Sequence, residues 1–377
     1  MASHKHLIGG AVAAAFLLGA ASCSDNNNST MSQTSASYSV TNLVSDNTAA
    51  AAATTIDPNL VNPWGIAFGP ADVWVANNGS QTSTLYDGNG VVFASLPVVN
   101  IPVGTGSQPA NPTGIVYNGT VSDFSGALFI FDGEGGALAA WSPSGGALTV
   151  YDNSAGNAVY KGLAIANNGS GNFLYATDFH NNVVQVFNSS FADVTVSGGF
   201  TFVDPSLPSG YGPFGIQAIG SKIYVTYGEH TVGSDDEVDG AGLGVVDVFD
   251  TSGAFVSRLV SNGASSVLNA PWGVAMAPTD FGTFSNDLLV GNFGDGKINA
   301  FDPTTGEFKG ALQNPNGSDI AVPGLWGIAF GNGAANQPTN VLFFAAGIND
   351  EADGLYGRID YNAPTSGSGP TCSGYGC

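Results

Sequence analysis

One five-residue segment is written six times in this chain, and no other feature constrains the fold as strongly. The copies are Trp64-Gly65-Ile66-Ala67-Phe68, Thr113-Gly114-Ile115-Val116-Tyr117, Lys161-Gly162-Leu163-Ala164-Ile165, Phe214-Gly215-Ile216-Gln217-Ala218, Trp272-Gly273-Val274-Ala275-Met276 and Trp326-Gly327-Ile328-Ala329-Phe330. Their glycines are spaced by 49, 48, 53, 58 and 54 residues. A repeat near this length, built of short strands, means a closed array of sheet blades. The expected fold is all-β, a six-bladed β-propeller over residues 38–362.

Each copy opens a unit of four strands. In the first, Gly65–Phe68, Val73–Ala76, Ser83–Tyr86 and Val91–Leu96 are the expected strands. In the fifth they are Gly273–Ala277, Leu288–Val290, Lys297–Phe301 and Phe308–Leu312. Hairpin turn chemistry separates the third and fourth strands, as in Asp87-Gly88-Asn89-Gly90 and Asp250-Thr251-Ser252-Gly253. The last unit is one strand short, while Tyr38–Val44 is a strand with no blade of its own. It is expected to supply the outer strand of the sixth blade, which closes the ring and removes an open edge.

The ends of the chain read differently. Lys5 precedes an apolar run from Leu7 to Ala21 that ends in Ala20-Ala21-Ser22-Cys23. This is a signal-peptide layout over residues 1–22, too short for a standard transmembrane helix. Cys23 after small residues looks like a lipidation site, although the usual Leu three places earlier is Ala20; ordinary cleavage near Ser22 is the other reading. Residues 23–37 then form a polar tether, and residues 363–377 a Gly/Ser/Pro-rich tail. Cys372 and Cys377 in that tail are the remaining pair for a disulfide in an oxidising compartment. The expected location is the periplasm or cell surface, as an outer-membrane lipoprotein or otherwise secreted, with the membrane reached only through the lipid. A monomer is expected.

The formal net charge is −22, with 29 acidic residues against seven basic ones. Binding phosphate backbones needs Lys and Arg, so nucleic acid is excluded as a partner and cations are favoured.

The repeated stretches LVNPWGIAFGP, PTGIVYN, VYKGLAIA, GYGPFGIQ, LNAPWGVAMAP, LLVGNFGDGKINAFD and GLWGIAFG resemble a largely uncharacterised bacterial family of exported, NHL-like six-bladed propellers. Some members of that family carry a PEP-CTERM sorting tail, which this chain lacks. The resemblance implies export and a fold, and no established reaction.

In an antiparallel blade, the start of the first strand and the end of the second lie on one face. The residues before the repeat glycines therefore ring one mouth of the channel. Trp64, Phe214, Trp272 and Trp326 make an aromatic collar that would suit a flat, apolar or sugar ligand, with Asn78 and Asn292 nearby. Packing between blades is the competing role. Lys161 sits in the same ring and needs an acid, for which Glu134 is the candidate; as a buried lysine it is also a candidate base or nucleophile. The two histidines beyond the leader, His180 and His230, fall at second-strand ends on adjacent blades and are candidates for general-base chemistry. Glu134, Asp178, Glu229, Asp295 and Glu351 are candidate ligands for a divalent metal, most naturally Ca2+. Two loops, Asp235–Gly240 and Asn349–Gly354, share the pattern Asp-Glu-x-Asp-Gly. Their twelfth positions, Val246 and Asp360, are not Glu, so a helix-loop-helix calcium site is excluded.

Three function classes remain open. The first is an exported propeller that binds a small molecule, a glycan or an envelope protein at the mouth. The second is a Ca2+-dependent hydrolase or lyase, like the calcium lactonases and amidating lyases built on such rings. The third is a structural surface or matrix component.

Overall fold

The computed structural model describes residues 36–106, 108–231 and 234–364. The leader, Cys23, the tether up to residue 35, and the tail with Cys372 and Cys377 lie outside these residues. Six antiparallel sheets follow one another around a ring. The inner strands are Pro63–Phe68, Pro112–Tyr117, Tyr160–Asn167, Tyr211–Ile219, Pro271–Met276 and Leu325–Phe330. Pro63, Pro112 and Pro271 stand first in their strands, where a missing ladder N–H costs least.

The repeat is a bulge. In the first blade Pro63 faces Asn77 and Ile66 faces Val75, so Trp64 and Gly65 together oppose Ala76. The same shift occurs at the corresponding place in all six inner strands. A bulge re-aims side chains and increases twist. Here it also explains the glycine. A Cβ on Gly65 would lie 2.6 Å from the Thr113 carbonyl oxygen, one on Gly273 2.6 Å from that of Trp326, and one on Gly327 2.4 Å from that of Trp64. Each repeat glycine is thus pressed onto the backbone of the next blade, and the last is pressed onto the first.

The N-terminal strand Ser37–Ser45 pairs antiparallel with Leu355–Asn362 and is the outer strand of the sixth blade, as expected. The short strand Thr55–Ile56 then adds in parallel to it. Tyr38 stitches this seam to the fifth blade. Its amide donates to Gln313 O at 2.8 Å and its hydroxyl to Phe281 O at 3.0 Å. Burial pushes the phenol up to about 12. Tyr38→Phe is expected to cost about 1–2 kcal/mol, the net value of a buried hydrogen bond whose acceptor is left unpaired, read from urea midpoints.

Two outer strands differ from expectation. In the first blade the fourth strand is Val98–Asn100 and not Val91–Leu96. The segment from Val91 makes one bridge, Tyr86 to Val92, and then turns at Phe93–Leu96. That turn packs Phe93 and Leu96 against the core between the first two blades. The third blade has three strands, Tyr160–Asn167, Asn172–Asp178 and Val183–Phe187. Its fourth position is a single bridge, Phe187 to Asp193, because the Thr195 hydroxyl takes the Val186 amide that a ladder would use.

Candidate functional site

The face where the inner strands begin carries two concentric rings of side chains. The bulges supply the first: Trp64, Thr113, Lys161, Phe214, Trp272 and Trp326. The second comes from the residue at or just past the end of each second strand, whose amide bonds back to the segment entering the inner strand. Those amides belong to Asn78, Glu134, Phe179, His230, Phe293 and Gly347, bonding to Asn62, Asn111, Val159, Gly210, Ala270 and Gly324.

The aromatic collar is closed: of the two roles weighed for it, packing is the one its burial fits. Trp64 stacks on Trp326 and meets Trp272 edge-on, and Phe293 stacks on Trp326 from the second ring at 4.1 Å. Phe179 completes the cluster against Phe214. Trp64, Phe214 and Trp326 are at most 2% exposed, and Trp272 is 9% exposed. These rings form a plug across the channel. The indoles are also fastened: Trp64 and Trp326 both donate to Asn62 Oδ1 at 3.2 Å, and Trp272 donates to Lys161 O at 2.7 Å. Phe179 and Phe293 escaped sequence reading, although both follow second-strand ends in matching Asx-Phe pairs.

Lys161 lies on the plug. Its Nζ is 2.6 Å from Glu134 Oε1, 4.0 Å from Asp236, and 5.3 Å from the centre of the Trp64 ring. The lysine is 1% exposed. Burial pulls its pKa down, but Glu134, Glu237 and Asp236 outweigh this and hold it above the usual lysine value. A base or nucleophile needs the opposite shift, so the contacts favour the ion pair with Glu134. Glu134 is in turn braced by Asn78 Nδ2 at 2.8 Å. Asn78 is therefore spent on Glu134. Asn292 is fully buried, donating to Val267 O and Asp295, and presents nothing to a ligand.

Both acidic loops reach this centre. Burial pushes Glu237 up to about 7, Lys161 opposing and Glu351 and Asp236 adding to the shift. Burial likewise raises Glu351, with Glu134 next in effect. Four carboxylates thus share one ammonium. The Glu351 loop holds three consecutive residues in left-handed conformation, Asn349, Asp350 and Glu351 (φ 56°, 52° and 64°). Such strain costs about 1–2 kcal/mol per residue and concentrates at functional sites.

The histidines are not equivalent, contrary to the sequence alignment. His230 occupies the second ring, with its Nε2 3.2 Å from Asn182 Oδ1 and its ring against Phe179. In the neighbouring blade Phe179 takes that position and His180 lies one residue further out. There its Nδ1 sits 2.6 Å from Asp235 Oδ1. His180 lines a cleft of about 440 Å³ with Glu134, Ser154, Asp235 and Asp236. A second cleft of about 620 Å³, between the fifth and sixth blades, is lined by Asp239, Phe293, Asp295, Asp350 and Glu351.

Of the five acids considered for a metal, only Glu134 and Glu351 share a place. Asp178 is 1% exposed and accepts from the amides of Val159 and Asn181 and from Asn181 Nδ2. Glu229 stands beside the Tyr211 hydroxyl, and Asp295 caps the turn into Lys297. Glu134 and Glu351 belong to the centre. Among the described residues no three His, Cys, Asp or Glu side chains are grouped to hold a metal.

Below the plug, Asp132 is a buried carboxyl pushed up to about 7 by desolvation, against hydrogen bonds from the Gly114 amide and Thr113 hydroxyl. The native state holds this proton more tightly than the unfolded chain. The contribution is therefore present below about pH 4 and lost as pH rises through about 7. Asp132→Asn is expected to flatten the fall in stability between pH 5 and 8 by roughly 2 kcal/mol, measured by urea midpoints at both pH values.

With this geometry in view, comparison with known proteins places the chain. It is 35% identical over 341 residues to "Uncharacterized protein R648" of Acanthamoeba polyphaga mimivirus, covering 85% of this chain and 80% of that one. The chain belongs to this family. No family model matches it. Among solved structures, a protein of unknown function from Bacteroides thetaiotaomicron has a TM-score of 0.53 at 12% identity, over 87% of this chain and 77% of that one. A glucose dehydrogenase has a TM-score of 0.51 at 13% identity, over 86% and 99%. At such identities these two share the propeller fold alone. This relative is viral, so it lends no support to the bacterial origin that the repeats imply.

Proposed function

We propose that this chain is an exported recognition propeller, tethered through a lipid on Cys23, that binds a cationic ligand or basic segment of an envelope partner at its mouth. The observation that carries this reading is the centre over the plug. There Glu134, Asp236, Glu237 and Glu351 surround one internal cation, and polar clefts open on either side. A rigid ring that brings acids from separate loops to one face suits recognition. Spermidine and a lysine-rich peptide are the probes. Calorimetric titration should show saturable binding that weakens with salt and falls at least tenfold in an Asp235→Asn, Asp236→Asn double variant, since both side chains are exposed and removable without loss of fold. A folded protein that binds neither probe would sink this reading.

A second reading rests on the His180–Asp235 pair. A carboxylate at 2.6 Å fixes the orientation of His180 at the cleft wall, as a general base requires. In that hydrolase or lyase, His180 moves a proton and Ca2+ is the divalent ion whose retention elemental analysis would check. His180→Gln should then abolish turnover of any substrate found while leaving polyamine binding intact.

A further inference from the structure

The loop Asp235–Gly240 is held at both ends. At one end Asp235 Oδ1 lies 2.6 Å from His180 Nδ1, just past the second strand of the third blade. At the other the Gly240 amide donates to Asn269 Oδ1 at 2.6 Å, beside the start of the fifth blade. Between these anchors Glu237 and Val238 pair with His230 and Glu229 of the fourth blade. The loop therefore crosses the fourth blade from one cleft to the other. Asp235 and Asp236 line the cleft of about 440 Å³, and Asp239 lines the cleft of about 620 Å³. Side chains alternate along the crossing. Glu237 turns inward, where Lys161 is the charge that lowers its pKa, while Val238 faces out and is 36% exposed. Asp235, Asp236 and Asp239 are exposed. The water-facing surface thus reads acid, apolar, acid. Three extended residues from Asp236 to Asp239 reach at most about 11 Å. Among the described residues, neither Asp239 nor Asp295 and Asp350 beside it forms an ion pair.

We infer that the mouth selects a linear dication: a small molecule with an ammonium at each end of an uncharged alkyl spacer, laid along this loop with one end in each cleft. This rests on the reading of the mouth as a cation site and goes further, fixing the number and spacing of the charges. Once one ammonium has docked, the second binds as an intramolecular event. Its gain is greatest when the spacer matches the span and vanishes when the spacer is too short. An alkyl spacer passing Val238 also removes apolar surface from water. Anchors on two blades pre-set the distance between the acids, so little ordering opposes binding.

The test is calorimetric titration of the full chain with three probes. Diaminooctane has eight carbons between its ammoniums, putrescine has four, and octylamine has the same chain as diaminooctane with one charge. Diaminooctane should bind at least fivefold more tightly than either of the others. Asp239→Asn, which removes an exposed acid from one end only, should bring that preference below fivefold. A preference below fivefold in the unaltered protein, or one kept in the folded Asp239→Asn variant, overturns the inference. If spermidine still binds in either case, the mouth reading stands without it. Binding of neither spermidine nor any diamine overturns both. Should the variant misfold, the three probes on the unaltered protein decide alone.

Discussion

Gly215→Ala is expected to unfold this protein or to cost above about 4 kcal/mol, beyond the range of ordinary substitutions. The added Cβ would lie 2.0 Å from the Trp272 carbonyl oxygen and 2.8 Å from its carbon, both backbone atoms of the next blade. It would also lie 2.9 Å from Thr226 Oγ1, which accepts the Gly215 amide inside the bulge. None of these atoms can turn away as the end of a long side chain can. Moving the Trp272 backbone would in turn displace its neighbour, because Gly273 is pressed onto Trp326 in the same way. The strain cannot be confined to one blade. Gly171→Ala is the control: its nearest neighbour would be a Phe173 ring atom at 3.8 Å, and a change within about 0.5 kcal/mol is expected. Urea midpoints of the two variants, with far-ultraviolet circular dichroism to establish folding, give the comparison.

The same contact explains why the architecture was legible in the sequence. A glycine that must sit on a neighbour's backbone recurs wherever a blade meets the next, so the repeat marks every blade and the count is six. The displaced strand was legible for a related reason: a ring with one outer strand missing and one spare strand at its start has a single economical closure. Local irregularities were not legible. Val91–Leu96 has the apolar content of a strand, yet its side chains are drawn into the core and the pairing passes to Val98–Asn100. At the mouth, the ion pair of Lys161 with Glu134 could be read because a lysine among apolar neighbours needs an acid. The closed plug could not, because Phe179 and Phe293 reach it from another strand. The apparent equivalence of His180 and His230 failed by one residue. Strand Lys222–His230 runs one residue further than its counterpart does, and such a shift reassigns which side chain meets the centre.

Lys161→Met is expected to cost about 3–5 kcal/mol at pH 8, the usual penalty for leaving a buried charge without its partner. Methionine matches the lysine stem, so packing against Trp64 and Phe179 is largely kept and the loss is electrostatic. Glu134 would lose the ammonium at 2.6 Å, and Glu237 and Glu351 would lose the one nearby charge that lowers their pKa values. Carboxyl groups whose native pKa values are raised favour folding while protonated and lose that contribution as pH rises through those values. The deficit of Lys161→Met should therefore shrink toward pH 5 and widen toward pH 8, the reverse of what a packing defect would do. A double variant, Lys161→Met with Glu134→Gln, should recover much of the loss, because both charges then leave together. The Trp272 indole provides a check on the cause. It bonds to the Lys161 carbonyl, which the substitution keeps, so tryptophan fluorescence should stay native in the folded variant. A shifted emission would mean that the plug had opened, and that the ammonium holds the aromatic rings in place as well as balancing the acids above them.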